Sequence, residues 1–203
     1  MITLVVSDIF GQTKSLEGFV NELDGSTAIC SPYPFRQGHI DRDEPSVYQQ
    51  FIETTGHDKY VEKVVEAISS KQPDLIIGFS AGAVASWRAL AAMPIKSATK
   101  LIAFYPGQIR NHLQLHPKCD VDIYFPYEEK HFDVKPVIGH LSSVHGVKCY
   151  RTRYSHGFMN SLSENFCAQA YQHYTRVCQG NIEEAIKLKL ANRRIKSGLE
   201  LTM

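Results

Sequence analysis

Hydrophobic residues follow two alternating rhythms along this chain. Short apolar runs stand at 2–6 and 75–77, and largely apolar stretches at 100–104 and 121–125, rich in Val, Ile, Leu and Phe. Runs that do not alternate with polar residues suit strands covered on both faces, as in a parallel sheet. Thr27–Cys30 and Gly146–Arg151 are two shorter candidates. Between the runs, apolar residues recur three and four apart. Leu16, Phe19, Val20 and Leu23 predict a helix over about 12–24, and Tyr60, Val61, Val64, Val65 and Ile68 one over 57–70. A small-residue helix is expected over 81–92, another over 134–144, and a fourth over 160–178, with Leu162, Phe166, Ala170 and Tyr174 on one face. Gly180 is expected to cap this last helix. Asn181–Lys196 then reads as a separate, basic amphipathic helix carrying Ile182, Ile186 and Leu190. Residues 33–56 are polar and irregular, with a short helix around Tyr48, Phe51 and Ile52. Residues 108–119 read as loop.

Strand and helix thus alternate six times. Short right-handed crossovers turn that order into an α/β fold of three layers, α/β/α, around a mostly parallel six-stranded sheet. One domain is expected over residues 1–180, with a C-terminal basic helical extension over 181–203. In such sheets reacting groups gather beyond the carboxyl ends of the strands. That edge would hold Asp8–Gly11, Ser80, Pro126–Phe132 and His156.

The most informative stretch is Gly78–Phe79–Ser80–Ala81–Gly82, because it lies between an apolar strand and a small-residue helix. In that context G-x-S-x-G describes a sharp turn that lifts the serine hydroxyl clear of the sheet. The glycines admit close backbone approach, and the helix that follows aims its unpaired N–H groups and positive end at the site. A serine is a weak nucleophile unless a histidine takes its proton, and the histidine in turn needs a carboxylate. His156 follows the sixth strand and precedes Gly157 and the last core helix, which makes it the candidate base. Glu129 is the candidate acid, with Glu128 and Asp133 as alternatives on the same loop. Two N–H groups would face the oxyanion: that of Ala81, and that of Ile9 or Phe10 in the loop after the first strand. Asp8 either orients a hydroxyl near the nucleophile, repels developing negative charge, or caps loop N–H groups through an Asx turn.

Composition narrows the choice. The chain has 203 residues, a net charge of +1 and 43% hydrophobic residues, which suits one globular core and gives no electrostatic footprint for nucleic acid. The N-terminal residues read as a strand rather than a signal peptide, and no apolar run approaches a bilayer span. Five scattered cysteines without a C-x-x-C pair suggest reduced thiols in a cytoplasmic protein. His112 and His116, followed by Pro117, do not form a zinc-helix pattern. No metal and no cofactor are expected.

Three stretches together resemble the dienelactone hydrolase family of α/β-hydrolases. Leu4–Gly11 through Ile29–Pro32 is similar to its first strand, Glu-Ile-Phe-Gly loop and second strand. Ile76–Ala83 is similar to its Gly-Phe-Cys-x-Gly-Gly elbow. Pro126–Glu129 and Tyr154–Phe158 are similar to its acid and His-Gly-Phe segments. The resemblance covers residues 2–178 and implies a minimal α/β-hydrolase fold without a lid domain. Ser80 stands where family members that open dienelactones carry cysteine, which looks more like the esterase members. Asp8 stands at a family glutamate and Glu129 at a family aspartate. By location, Asp8, Phe10, Arg36 and Arg42 are candidates for orienting substrate or nucleophile. The expected activity is hydrolysis of a small carboxylic ester, thioester or lactone by a monomer or homodimer that contacts neither nucleic acid nor membrane. The alternatives are a non-catalytic binding or scaffold protein of the same fold and a flavodoxin-like phosphate binder. The latter would need a Gly-rich loop after the first strand.

Overall fold

The computed structural model describes residues 1–34, 43–94 and 99–200, with the side chains of the last helix described through residue 191. The apolar runs form six strands: β1 (Ile2–Val6), β2 (Ser26–Cys30), β3 (Leu75–Phe79), β4 (Lys100–Phe104), β5 (Asp120–Phe125) and β6 (Val147–Arg151). All pair in parallel, in the order β2-β1-β3-β4-β5-β6. Among the described residues, five α-helices lie between strands, α1 (Lys14–Asn21), α2 (Glu44–Thr54), α3 (Gly56–Lys71), α4 (Ala81–Ala92) and α5 (Val134–Leu141), and α6 (Ala168–Glu200) follows β6.

Successive strand residues point to opposite faces, so each central strand feeds two cores. Leu4, Val6, Ile76, Leu101, Ala103, Val121 and Ile123 pack with Tyr60, Val64, Val84, Trp87 and Leu141 of α3, α4 and α5. Val5, Ile77, Phe79, Ile102 and Phe104 pack with Phe19 of α1 and with Ala170, Tyr174, Cys178 and Ile182 of α6. This is the three-layer arrangement that the apolar runs require. The chain steps from β1 out to β2 and then returns past β1 to β3. A crevice therefore opens at the carboxyl ends of β1 and β3, the usual ligand position in an open parallel sheet.

The C-terminal region differs from expectation in two ways. Residues 160–167 are turns rather than the start of a helix. There Asn160 Oδ1 accepts the Leu162 N–H at 2.9 Å and Ser163 Oγ accepts the Asn165 N–H at 3.3 Å. Such side-chain acceptors compete with helical pairing. Gly180 does not end the helix either, and α6 runs on from Ala168 to Glu200. A glycine inside a helix costs about 1 kcal/mol. Complete burial of Ile182 and packing of Ile186 against the same core outweigh it. Lys189 on the next turn reaches the buried carboxylate of Asp74 at 2.6 Å. Smaller differences are a 3₁₀ turn at Gly107–Asn111 inside the expected loop and a full three-turn α2.

Candidate active site

Ser80 sits between β3 and α4 with φ 47° and ψ −113°, a conformation that costs a non-glycine residue about 1–3 kcal/mol. Its surroundings hold it there. The Ser80 N–H donates to the Phe104 carbonyl at 2.9 Å, and its own carbonyl accepts the Val84 N–H at 3.2 Å. The flanking glycines are steric requirements. A Cβ on Gly78 would lie 2.7 Å from the Ala83 Cα, and one on Gly82 would lie 2.6 Å from the Val6 carbonyl oxygen. The start of α4 can press onto β1 only because residue 82 has no side chain.

The structure brings Ser80, His156 and Glu129 into one hydrogen-bonded line. Ser80 Oγ lies 2.9 Å from His156 Nε2, and His156 Nδ1 lies 2.8 Å from Glu129 Oε1. The Glu129 side chain is 12% exposed and that of His156 is 32% exposed, so water can reach the histidine while the carboxylate is mostly enclosed. The loops carrying the two are joined beyond the ends of β5 and β6. The Thr152 N–H donates to the Phe125 carbonyl at 2.9 Å, and the Tyr127 N–H to the Tyr154 carbonyl at 2.7 Å. Glu129 is further fixed by an antiparallel bridge to Phe132. Of the other carboxylates considered, Glu128 is exposed, and Asp133 caps α5 by accepting the Lys135 N–H at 2.9 Å. Beneath the imidazole lies the ring of Tyr105, 4.9 Å away between centroids and itself buried against Phe158.

The loop after β1 closes the other side. Asp8 Oδ1 accepts the Phe10 N–H at 3.0 Å, so of the two candidate oxyanion donors the Phe10 N–H is already engaged. The Ile9 carbonyl is held by the Tyr33 hydroxyl at 2.7 Å, and Ile9 itself lines the cleft beside Ser80 and Ala81. The first N–H groups of α4, beginning with that of Ala81, have no intrahelical partner. Phe10 is 3% exposed and does not line this cleft, so it is a core residue rather than one that orients substrate. Asp8 is half-buried, and its second oxygen accepts Asn160 Nδ2 at 2.7 Å. Burial pushes its carboxyl up from 3.8 to about 6, against the opposing pull of the Asn160 and Phe10 donors. Asp8 thus caps the Phe10 N–H, and it does not line the cleft above Ser80. Arg36 and Arg42 lie outside the described residues.

The cleft above Ser80 has a volume of about 400 Å³. Besides the relay it is lined by Tyr48, His57, Gln108, Arg110 and Phe132. Tyr48 and His57 touch at 3.2 Å, and Arg110 lies 4.7 Å over the Phe132 ring. Burial lowers the His57 pKa, with the Arg88 guanidinium adding to the effect. Sequence reasoning missed His57 and Arg110 as wall residues because helix-face patterns do not say which helix ends overhang a cleft. It also missed Asn160. Tyr105, with φ 40°, was detectable from the Tyr-Pro-Gly turn that ends β4. All five cysteines are free thiols, and among the described residues no group of three or more His, Cys, Asp or Glu side chains could hold a metal.

The six-stranded parallel sheet with helices on both faces is the fold of dienelactone hydrolase-like and α/β serine hydrolase structures. No protein-family model matches the chain. The uncharacterised Bacillus subtilis protein YczH is 30% identical over 132 residues, which is 62% of this chain and 62% of that relative. Among solved structures, a dienelactone hydrolase candidate from Klebsiella pneumoniae superimposes with a TM-score of 0.63 at 17% identity, covering 87% of this chain and 84% of that one. The dienelactone hydrolase-like promiscuous phosphotriesterase P91, from metagenomic libraries, gives 0.59 at 14% identity, covering 90% and 85%. An α/β serine hydrolase homologue from Coxiella burnetii gives 0.55 at 14%, covering 89% and 84%. At these identities the likeness is one of fold. No helix among the described residues is long and apolar enough to cross a membrane.

Proposed function

We propose that this protein is a serine hydrolase of small carboxylic esters, thioesters or lactones. The observation that carries the proposal is the unbroken line from Ser80 Oγ through His156 to Glu129, at 2.9 and 2.8 Å. Ser80 attacks the substrate carbonyl while His156 Nε2 takes its proton, and Glu129 stabilises the imidazolium that results. The tetrahedral oxyanion faces the N–H groups of Ile9 and Ala81. His156 then returns the proton to the departing alcohol or thiol, leaving an acyl-serine. A water molecule, deprotonated by His156, adds to that ester, and His156 returns the proton to Ser80 Oγ as its bond to the acyl carbon breaks and the acid leaves. A cleft of about 400 Å³ suits a small acyl or lactone substrate.

A non-catalytic binding role gives no reason for the strained Ser80 backbone. Strain of this kind clusters at active sites and persists where the surrounding structure holds it. Turnover of p-nitrophenyl butyrate by the wild type and by Ser80→Ala tests the proposal. The variant should lose on the order of 10⁶ in kcat if the three residues act as a unit. Equal turnover by both proteins would overturn it.

A further inference from the structure

Resting on the serine-hydrolase reading above, we propose that Asp8 and Asn160 form a positioning brace that locks the oxyanion loop to the loop carrying the base. The two residues are 152 positions apart in sequence, yet Asn160 Nδ2 donates to Asp8 Oδ2 at 2.7 Å.

Each end of this link is anchored to one half of the catalytic apparatus. On the oxyanion side, Asp8 Oδ1 takes the Phe10 N–H at 3.0 Å and the Asp8 carbonyl takes the Gly11 N–H at 3.2 Å. The Ile9 carbonyl is held by Tyr33 at 2.7 Å. These bonds fix the peptide planes on both sides of Ile9, and with them the direction of its N–H. On the base side, Asn160 lies four residues after His156. Its N–H donates to the Gly157 carbonyl at 2.9 Å, and its Oδ1 accepts the Leu162 N–H at 2.9 Å. Gly157, at φ 87°, packs so closely on Ser163 that a side chain there would collide with the serine hydroxyl. The base loop is therefore stiff, and the Asp8 carboxylate is its tie to the opposite wall.

Both oxygens of Asp8 are engaged, and neither reaches into the cleft above Ser80. The groups that act on this carboxyl are His156 and Asn160 from the base loop, the Phe10 N–H, and Glu44 from α2; Tyr33, Tyr60 and Tyr105 feel its charge in turn. The expected consequence of loosening the brace is misdirection of the Ile9 donor. A misplacement of about 1 Å costs about 100-fold in rate.

The polarity of the link provides the test. In Asp8→Asn, the amide carbonyl at position 8 can still accept the Phe10 N–H, but the new NH₂ group then meets the Asn160 amide donor to donor. In Asn160→Asp, two carboxylates face each other. In the exchanged pair Asp8→Asn/Asn160→Asp every bond is restored with the shared one reversed. The amide at position 8 now donates to the carboxylate at position 160, which still accepts the Leu162 N–H. The readout is the second-order rate of labelling by a fluorophosphonate–rhodamine probe, which passes through the same oxyanion position. It is measured alongside thermal melting of each variant. Each single variant should label about 100-fold more slowly than wild type, and the exchanged pair should return to within about threefold. Single variants that fold and label at the wild-type rate would overturn the brace. So would an exchanged pair that melts like wild type and labels more than tenfold slower, which decides the matter even if the single variants do not fold. Absence of Ser80-dependent labelling in the wild type would instead overturn the hydrolase reading itself.

Discussion

Replacing Glu129 with glutamine separates the charge of the relay from its shape. The carboxylate oxygen lies 2.8 Å from His156 Nδ1, and its side chain is 12% exposed. Charge centres about 4 Å apart in surroundings of effective dielectric about 20 attract by about 4 kcal/mol. That attraction exists only while His156 carries the serine proton, so its loss falls on kcat and leaves KM largely unchanged. At 1.36 kcal/mol per decade this amounts to about 10³. A glutamine can also turn its amide N–H toward Nδ1, which moves the imidazole proton to Nε2 and removes the acceptor that Ser80 needs. Loss through the wrong tautomer is about 10⁴. Glu129→Gln should therefore lower kcat on p-nitrophenyl butyrate by about 10³ to 10⁴. Glu128→Gln and Asp133→Asn should stay within about threefold of wild type, since one is exposed and the other caps α5. Measured with Ser80→Ala as the floor, a Glu129→Gln variant within tenfold of wild type would refute the role given to this carboxylate.

Gly82→Ala places a Cβ 2.6 Å from the Val6 carbonyl oxygen, against a backbone that cannot yield, so urea unfolding should show a loss above about 4 kcal/mol or no folded protein. Ile182→Ala should cost about 2–5 kcal/mol, because this residue beyond Gly180 is fully buried, whereas Leu188→Ala, at an exposed position, should change stability by less than about 0.5 kcal/mol. Equal effects from the two would contradict the packing of α6. Asp8 gives a pH signature. Its carboxyl is raised in the folded state from 3.8 to about 6, so its contribution to stability is complete below pH 3.8 and disappears as pH rises through 6. Stability measured by denaturant titration should fall by up to about 3 kcal/mol across that window in wild type, and the step should be absent from Asp8→Asn. An identical pH profile in both proteins would contradict the assignment.

The sheet was legible because parallel strands buried on both faces read as largely apolar runs, as β1, β3 and β4 do, and as β5 does apart from Asp120 and Asp122. The serine turn was legible because its glycines answer to steric demands from Val6, Ser7 and Ala83, and those demands leave a pattern in adjacent positions. Residues brought in by tertiary contact were not. Nothing near Asn160 in sequence indicates that it meets Asp8, and nothing in α3 indicates that His57 overhangs the cleft. The start of α6 was misplaced because Leu162 and Phe166 carry a helical spacing while Asn160 and Ser163 divert the backbone into turns. The break at Gly180 was misplaced for a related reason. Local propensity weighs against glycine in a helix, but the burial of Cys178 and Ile182 on either side decides the outcome.

The central claim is that the hydroxyl at Ser80 is an activated nucleophile. Treating the folded protein with a fluorophosphonate and mapping the adduct by mass spectrometry of its peptides tests this directly. The expected result is one stoichiometric adduct on the peptide containing Ser80, lost in His156→Ala. An unmodified protein, or modification spread over surface residues and unchanged in His156→Ala, would contradict it.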